Sequence, residues 1–595
     1  MVHHPLLPKE RIRESDFGLN TQVLPPNATL VLCEDKEDVN RLKVDARLGK
    51  QVDAVVALTP EAACQCIKDE RDYYKLEDFF DEGLFCTASE PILAQQEEWA
   101  KKLDEFLLES VPQFRGLDFR PASLYFLQLK VVIDELFMCA FSLVALLVAS
   151  RPCKVIYFGA DRTDPISSDL YFRQSVYSLV LPACAQLYGV SLLRLEPSPQ
   201  QASQSRRFQR RNTLRSILGE MLSPGQRQIL RELRTLGVSE CVRRRLGRLN
   251  SPGLLIFKHG YDVALVADVA RNRGWQCKTF SDLLEEVEHV VPTHDPLADS
   301  MSALWDQVTD TPFFRQSFQW LGVDLWHVAK SHVHHWWHQV IPLMWHTLIK
   351  VREQFSRQSP SVVLVWSPHN PEDYSILHAA RSLGIPTVTY QHGGFEGNCE
   401  YGVLKMTDLN VADCRLVYGA GVERYFRGQI PDGRSRLVSV GSARLDSLRD
   451  RLGASQGSAL RSRLGVKMSQ ALVLYVPTLY PRQHRYMCCG DLGNVPYFEL
   501  QTQVVKLMCQ FPDIHFIYKP FGSLLRHSPD PIIEMISMNC PNCQVIYDLS
   551  LPELFWASDV HVIDIPSTGL LEALLTPKPI LVFSDKHYLR PCAEA

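Results

Sequence analysis

One pattern recurs along the chain: a short run rich in Val, Ile, Leu and Tyr, then a polar or glycine turn, then apolar residues at helical spacing. The runs are ATLVLCED (28–35), DAVVAL (53–58), CKVIYFGA (153–160), VSLLRL (190–195), GLLIFKHG (253–260), SVVLVWS (361–367) and PTVTYQHG (386–393). The series continues with ALVLYVPT (471–478), IHFIYKP (514–520), CQVIYDL (543–549), DVHVID (559–564) and KPILVFS (578–584). Runs this short and this apolar read as buried strands. Strands that alternate with helices pair in parallel, because each crossover needs a helix to cover the sheet. The expected fold is therefore α/β, with parallel sheets covered by helices.

At 595 residues the chain exceeds what one core can organise. The expected division is an N-terminal α/β region (1–200), a helical, Arg-rich insertion (201–250), the remainder of an N-terminal Rossmann-like lobe (251–465) and a C-terminal lobe (466–595). The insertion follows from the run SRRFQRRNTLRSILGEMLSPGQRQILRELRTLGVSECVRRRLGR (205–248), where Leu214, Ile217, Leu218, Met221 and Leu222 form a narrow stripe beside arginines. Such a helix suits either an anionic membrane surface or a solvated insertion between domains. The Gly- and Ser-rich DRLGASQGSALRSRLGVKMSQ (450–470) reads as the linker into the last lobe.

The composition is 46% hydrophobic and 22% charged with a net charge of −4, which gives no footprint for nucleic acid. The 17 cysteines are scattered, and MVHHPLLPKERIRESDF at the N-terminus has no apolar core of the secretory kind. A reduced, cytoplasmic setting is the expectation, and a peripheral place on the inner face of a membrane would suit the arginine stripe. LFMCAFSLVALLVAS (136–150) is shorter than a bilayer span and abuts Asp134 and Glu135, so it reads as a buried helix.

Chemistry concentrates at a few strand ends. In LPELFWASDVHVIDIPSTGLLEALLTPKPILVFSD (551–585), the centre Asp564-Ile565-Pro566-Ser567-Thr568-Gly569 leads into a helix carrying Glu572. Free N–H groups and hydroxyls at such a helix start can meet phosphate oxygens, with Glu572 placed for a ribose hydroxyl pair. A plain Ser/Thr cap with a following Glu explains the same residues. His392 ends an apolar strand and is followed by Gly393 and Gly394, which permit close approach of a ligand. His259 and His369 end strands in the same manner. His334 and His338 share a helix face at metal-binding spacing, but no HExxH pattern accompanies them, and an aromatic helix face fits better. CPNC (540–543) lacks a second pair, so it supports neither a zinc knuckle nor a redox site.

Three motifs, in order, resemble the GT-B glycosyltransferase superfamily of the surface-polysaccharide type, which includes CDP-glycerol glycerophosphotransferase-like and Kdo-transferase-like proteins. They are YQHGG (390–394), RLVSVGSARLD (436–446), and YKPFG (518–522) followed by DIPSTGLLEALLTPKPIL (564–581). The resemblance covers roughly residues 360 to 585. It implies two Rossmann-like lobes facing across a cleft, a nucleotide-activated sugar as donor, a carbohydrate or lipid-linked acceptor, and no cofactor or metal. Carried over, Lys519 would lie near the donor phosphates, Ser567, Thr568 and Gly569 would hold them, and Glu572 would take the ribose. His392 would deprotonate the acceptor hydroxyl or donate to the pyrophosphate, with His369 and His259 beside it. Many relatives have a histidine where this chain has Phe521, and any role for that histidine is lost here. The same fold also serves CDP-polyol phosphotransferases, UDP-N-acetylglucosamine 2-epimerase-like isomerases and non-catalytic scaffolds.

Overall fold

A computed structural model describes residues 24–159, 170, 176–196, 253–258, 260–286, 295–394, 396, 409–429, 435–467, 469–477, 493–520 and 530–583. The Arg-rich insertion lies outside these residues, as do His259 and Phe521. The fold is α/β, with parallel Rossmann-like sheets. The apolar runs become strands, because a sheet covered by helices on both faces asks for such residues.

The first sheet contains β1 (Thr29–Cys33), β2 (Ala54–Ala57), β3 (Lys154–Phe158) and β4 (Ser191–Leu195), in the order β2-β1-β3-β4. The second contains β5 (Leu254–Phe257) and β6 (Gln276–Thr279), and after the short hairpin of β7 (Gln319–Trp320) and β8 (Val323–Asp324) come β9 (Val362–Val365), β10 (Thr387–Tyr390), β11 (Cys414–Val417) and β12 (Arg436–Ser439). Its order is β12-β11-β10-β9-β5-β6. The third contains β13 (Leu472–Val476), β14 (His515–Tyr518), β15 (Cys543–Val545), β16 (Val560–Ile563) and β17 (Ile580–Val582), ordered β15-β14-β13-β16-β17. The second and third sheets each reverse direction once, between β5 and β9 and between β13 and β16. Ligands of doubly wound sheets bind at such points, outside the carboxyl ends of the strands.

Residues before 200 form a sheet of their own, in addition to the two lobes expected. Its side chains alternate between two cores. Leu30, Leu32, Val56, Val155 and Tyr157 join the apolar cluster of the second lobe, which includes Ile256, Val363 and Ile376. Val31, Cys33, Val55, Ile156 and Phe158 join a cluster with Tyr475, Phe498, Phe516 and Ile532 of the third. The period of two along a strand produces this two-sided burial. Helix Phe126–Ser150 lies in the first of these clusters, and 94% of its most apolar window is buried inside the protein. In its interior Lys130 and Asp134 pair one turn apart with both side chains fully covered, and Gln96 donates to Asp134 at 2.8 Å.

The Gly/Ser-rich segment 450–470 does lead from the second sheet into the third, but as packed helices. Helices Ala443–Arg451 and Ala454–Arg463 run through it. Leu460 and Val466 enter the third sheet's core. Gly457 approaches the Trp556 carbonyl so closely that a Cβ there would lie 2.2 Å from it. Arg461 is buried, donating to the Ala557 carbonyl at 3.0 Å and to Asp559 at 2.9 Å. The small residues serve close helix packing here, which composition alone reads as flexibility.

Candidate functional site

The carboxyl ends of the second and third sheets meet. Immediately after β10, Gln391 fixes the loop: its amide donates to the Gly393 carbonyl at 2.9 Å, and its carbonyl accepts from the Tyr418 N–H at 2.7 Å. Gly393 and Gly394 then pass against the loop that follows β16. A Cβ on Gly393 would lie 3.4 Å from Thr568 Oγ1, and one on Gly394 would lie 2.5 Å from the Ser567 carbonyl oxygen. The histidine-glycine loop and the Ser567–Thr568 loop thus form one seam between lobes.

His392 is partly exposed at this seam, its ring edge-on to Trp366 with centroids 5.1 Å apart. Its Nδ1 lies 3.5 Å from Glu396 Oε1, and the other carboxylate oxygen of Glu396 pairs with the fully buried Arg415. A ring nitrogen backed by a fixed carboxylate is the usual arrangement of a general base and its orienting group, and such contacts are often long before substrate binds. Glu396 falls within the stretch YQHGGFEG, four residues past the histidine, yet the sequence reading passes over it. The i, i+4 carboxylate was the available signal.

His369 also packs edge-on to Trp366, with ring centroids 5.3 Å apart. Its backbone N–H donates to Asp373 at 2.9 Å, and its carbonyl accepts from Gln128 of the long buried helix at 2.8 Å. Lys258, at the end of β5, pairs with Asp373 and donates to the Ser367 carbonyl at 3.3 Å. The candidate histidines His369 and His392 are therefore brought around Trp366, at the carboxyl ends of the neighbouring strands β9 and β10, of which β9 borders the second sheet's reversal point.

On the third sheet, Ser567 precedes helix Thr568–Ala573 in extended backbone, but its hydroxyl makes no capping bond. Glu572 does not close a cap either. It is 4% exposed and forms an ion pair with Arg444, which comes from the other lobe. The plain capping explanation of Ser567, Thr568 and Glu572 fails on these two contacts. Gly569 is buried behind them. Lys519 follows β14 on the same edge; its ammonium donates to the Tyr547 carbonyl at 2.7 Å, and burial lowers its pKa from the ordinary lysine value. Asp564 ends β16, buried, and accepts from Gln501 at 2.9 Å.

Asp262, on the helix after β5, gathers the segment that delivers Arg444. It accepts from Tyr418 Oη at 2.8 Å, from Ser442 Oγ at 2.8 Å and from the Arg444 backbone N–H at 2.7 Å. Asp262 follows His259 closely in IFKHGYD, where the sequence suggests a cleft lining, whereas Arg444 lies inside RLVSVGSARLD with nothing local to mark it. His334 and His338 are away from these residues, with ring centroids 4.1 Å apart and 5.1 and 5.5 Å from that of Trp305.

Neither protein-family models nor curated proteins give a match to this chain. Among solved structures, UDP-GlcNAc 2-epimerase from Neisseria meningitidis bound to UDP-GlcNAc is similar at 12% identity and a TM-score of 0.33, over 56% of this chain and 82% of that one. Sucrose-phosphate synthase from Thermosynechococcus elongatus is similar at 14% identity and a TM-score of 0.32, over 56% and 81%. A glycosyltransferase from Rickettsia africae is similar at 11% identity and a TM-score of 0.33, over 56% and 79%. At these scores, function has to be read from the chain's own residues.

Proposed function

We propose that this protein is a GT-B-type glycosyltransferase, moving a sugar from a nucleotide-sugar donor to a carbohydrate or lipid-linked acceptor in surface polysaccharide synthesis. The observation that carries this reading is the seam itself. A histidine with a carboxylate behind it ends a strand of one lobe, and its glycines touch a Ser-Thr loop at the switch point of the other.

In this reading His392 removes the acceptor hydroxyl proton, and Glu396 holds the ring and stabilises the imidazolium that forms. Ser567, Thr568 and Gly569 meet the donor phosphates, and Lys519 adds positive charge as the bond to the sugar breaks. Glu572 takes the ribose hydroxyls through the oxygen not engaged by Arg444. Gly394 lets the histidine loop close on the Ser567 backbone, where a Cβ would collide with the carbonyl oxygen. In this reading the reaction takes place in the cytoplasm, and the protein's own groups offset the leaving charge.

The test is ligand binding followed by turnover. UDP, CDP, CMP and GDP are screened for a rise in melting temperature, which tight binding to the native state must produce. No rise with any of them would remove the donor site. With the responding nucleotide sugar, His392→Ala is expected to abolish transfer while leaving the nucleotide shift intact; surviving turnover would exclude His392 as the base.

A further inference from the structure

We infer that the turn Cys540–Cys543, with Cys509 beside it, is a thiol–disulfide site: a small disulfide of the glutathione class closes a reversible bond between Cys540 and Cys543. The cluster lies at the amino ends of β14 and β15, opposite the edge that carries Lys519 and Ser567, and does not depend on the donor site.

The sequence pattern CPNC lacks a second pair, but the fold supplies a third thiol from an earlier helix. Cys509 caps helix Asn494–Met508, Cys540 caps helix Pro531–Asn539, and Cys543 opens β15. The Cys540 side chain is buried, and its thiol lies within hydrogen-bonding reach of both other thiols. Asn542 sets this arrangement. Its amide donates to the carbonyls of Met508 at 3.3 Å, Phe511 at 2.9 Å and Ile514 at 3.0 Å, which fastens the turn to the segment carrying Cys509. Its side-chain oxygen accepts from the Cys540 thiol at 3.3 Å.

Within the turn, the Cys543 N–H donates to the Cys540 carbonyl at 3.0 Å. A turn closed by that bond holds its end Cα atoms within about 7 Å, and disulfides span roughly 4.4–6.8 Å between Cα atoms. Pro541 favours the second position of such a turn, because its ring presets φ. Cys509 and Cys543 are partly exposed, so an oxidant reaches the cluster without unfolding. The Cys543 thiolate attacks one sulfur of oxidised glutathione, forming a mixed disulfide and releasing one glutathione thiol. Cys540 Sγ then attacks the Cys543 sulfur, closing the Sγ–Sγ bond and releasing the second. The two protein thiols give up two electrons and two protons, and the oxidant takes up both as two glutathione thiols. Burial pushes the Cys543 thiol up to about 12, so thiolate is scarce and the exchange is slow. A thiol that resists ionisation is also a poor leaving group, so the closed bond resists reduction.

The full chain is equilibrated in buffers running from reduced to oxidised glutathione, quenched with acid, alkylated and mapped by mass spectrometry. The expected result is loss of alkylation at both Cys540 and Cys543 together, with a linked peptide whose fraction follows the square of reduced over oxidised glutathione. Recovery of both residues as thiols at the most oxidising ratio would overturn the inference, as would a mixed disulfide held at Cys543 without closure. In Cys543→Ser the bond is expected to move to Cys509 and Cys540, and its absence there would remove Cys509 from the site. The wild-type map decides the main point whatever a variant does to folding.

Discussion

Gly394 stands against Ser567 across the seam, so close that a methyl group on it would sit 2.5 Å from the Ser567 carbonyl oxygen. The obstacle is backbone, which cannot rotate aside. Gly394→Ala is therefore expected to push the two loops apart at a cost of about 1–3 kcal/mol. Gly393→Ala meets only Thr568 Oγ1, at 3.4 Å, and should be milder. Thermal melts of the two variants in parallel check this, and equal midpoints would contradict the close approach.

The Glu396–Arg415 pair is buried at both ends. Glu396→Gln keeps the shape but removes the negative charge facing a guanidinium with no exposure, and breaking such a pair costs about 3–5 kcal/mol. A urea midpoint falling by the corresponding amount is expected. Adding Arg415→Met to Glu396→Gln should recover much of the loss, since the uncompensated charge is then gone.

Asp38, on the helix Lys36–Val44 after β1, should make stability fall as pH rises toward 8. Burial, with Asp35 close by, pushes the Asp38 carboxyl up from 3.8 to about 8. A group raised in the folded state favours folding while protonated, so its contribution is complete below pH 3.8 and disappears as pH climbs toward 8. Asp38 accepts from the Glu34 N–H at 2.9 Å, a bond an amide oxygen can also accept. Asp38→Asn is thus expected to flatten the decline in melting temperature between pH 5 and 8, as followed by calorimetry at several pH values.

On the acid side, the third sheet is the sensitive element. His561 lies between Ser558 Oγ at 3.1 Å and Thr576 Oγ1 at 3.0 Å, and burial brings its pKa down from 6.5 to about 4. A histidine lowered on folding contributes stability above pH 6.5, and that contribution is lost as pH falls toward 4. His561→Gln should remove part of the drop in melting temperature between pH 6.5 and 4.5. An unchanged profile would place the acid sensitivity elsewhere.

Every apolar run picked out in the sequence became a strand, including the partly exposed edge strands β4 and β17, because apolar, β-branched runs suit a sheet whether buried or at its edge. The strands that escaped notice carry polar residues: QCKT of β6, CRLV of β11 and the QW and VD pair of the hairpin. Their pairing is set by neighbours, not by their own apolarity. At the site, the strand-end histidines and the Ser567 loop were readable, since a turn after an apolar run is local. Arg444 and Glu572 are 128 residues apart, and nothing in either segment announces the other. The helices of segment 450–470 escaped notice for a related reason: its small residues suit a tight helix crossing as well as a loop.

The first sheet lends one face to each of the other two cores. Swinging the two lobes apart would strip apolar surface from it, and the chain would bear that penalty at every opening. The width of the crevice is thus decided once, when the polypeptide folds, and incoming molecules must adapt to a fixed gap served by small adjustments of its loops.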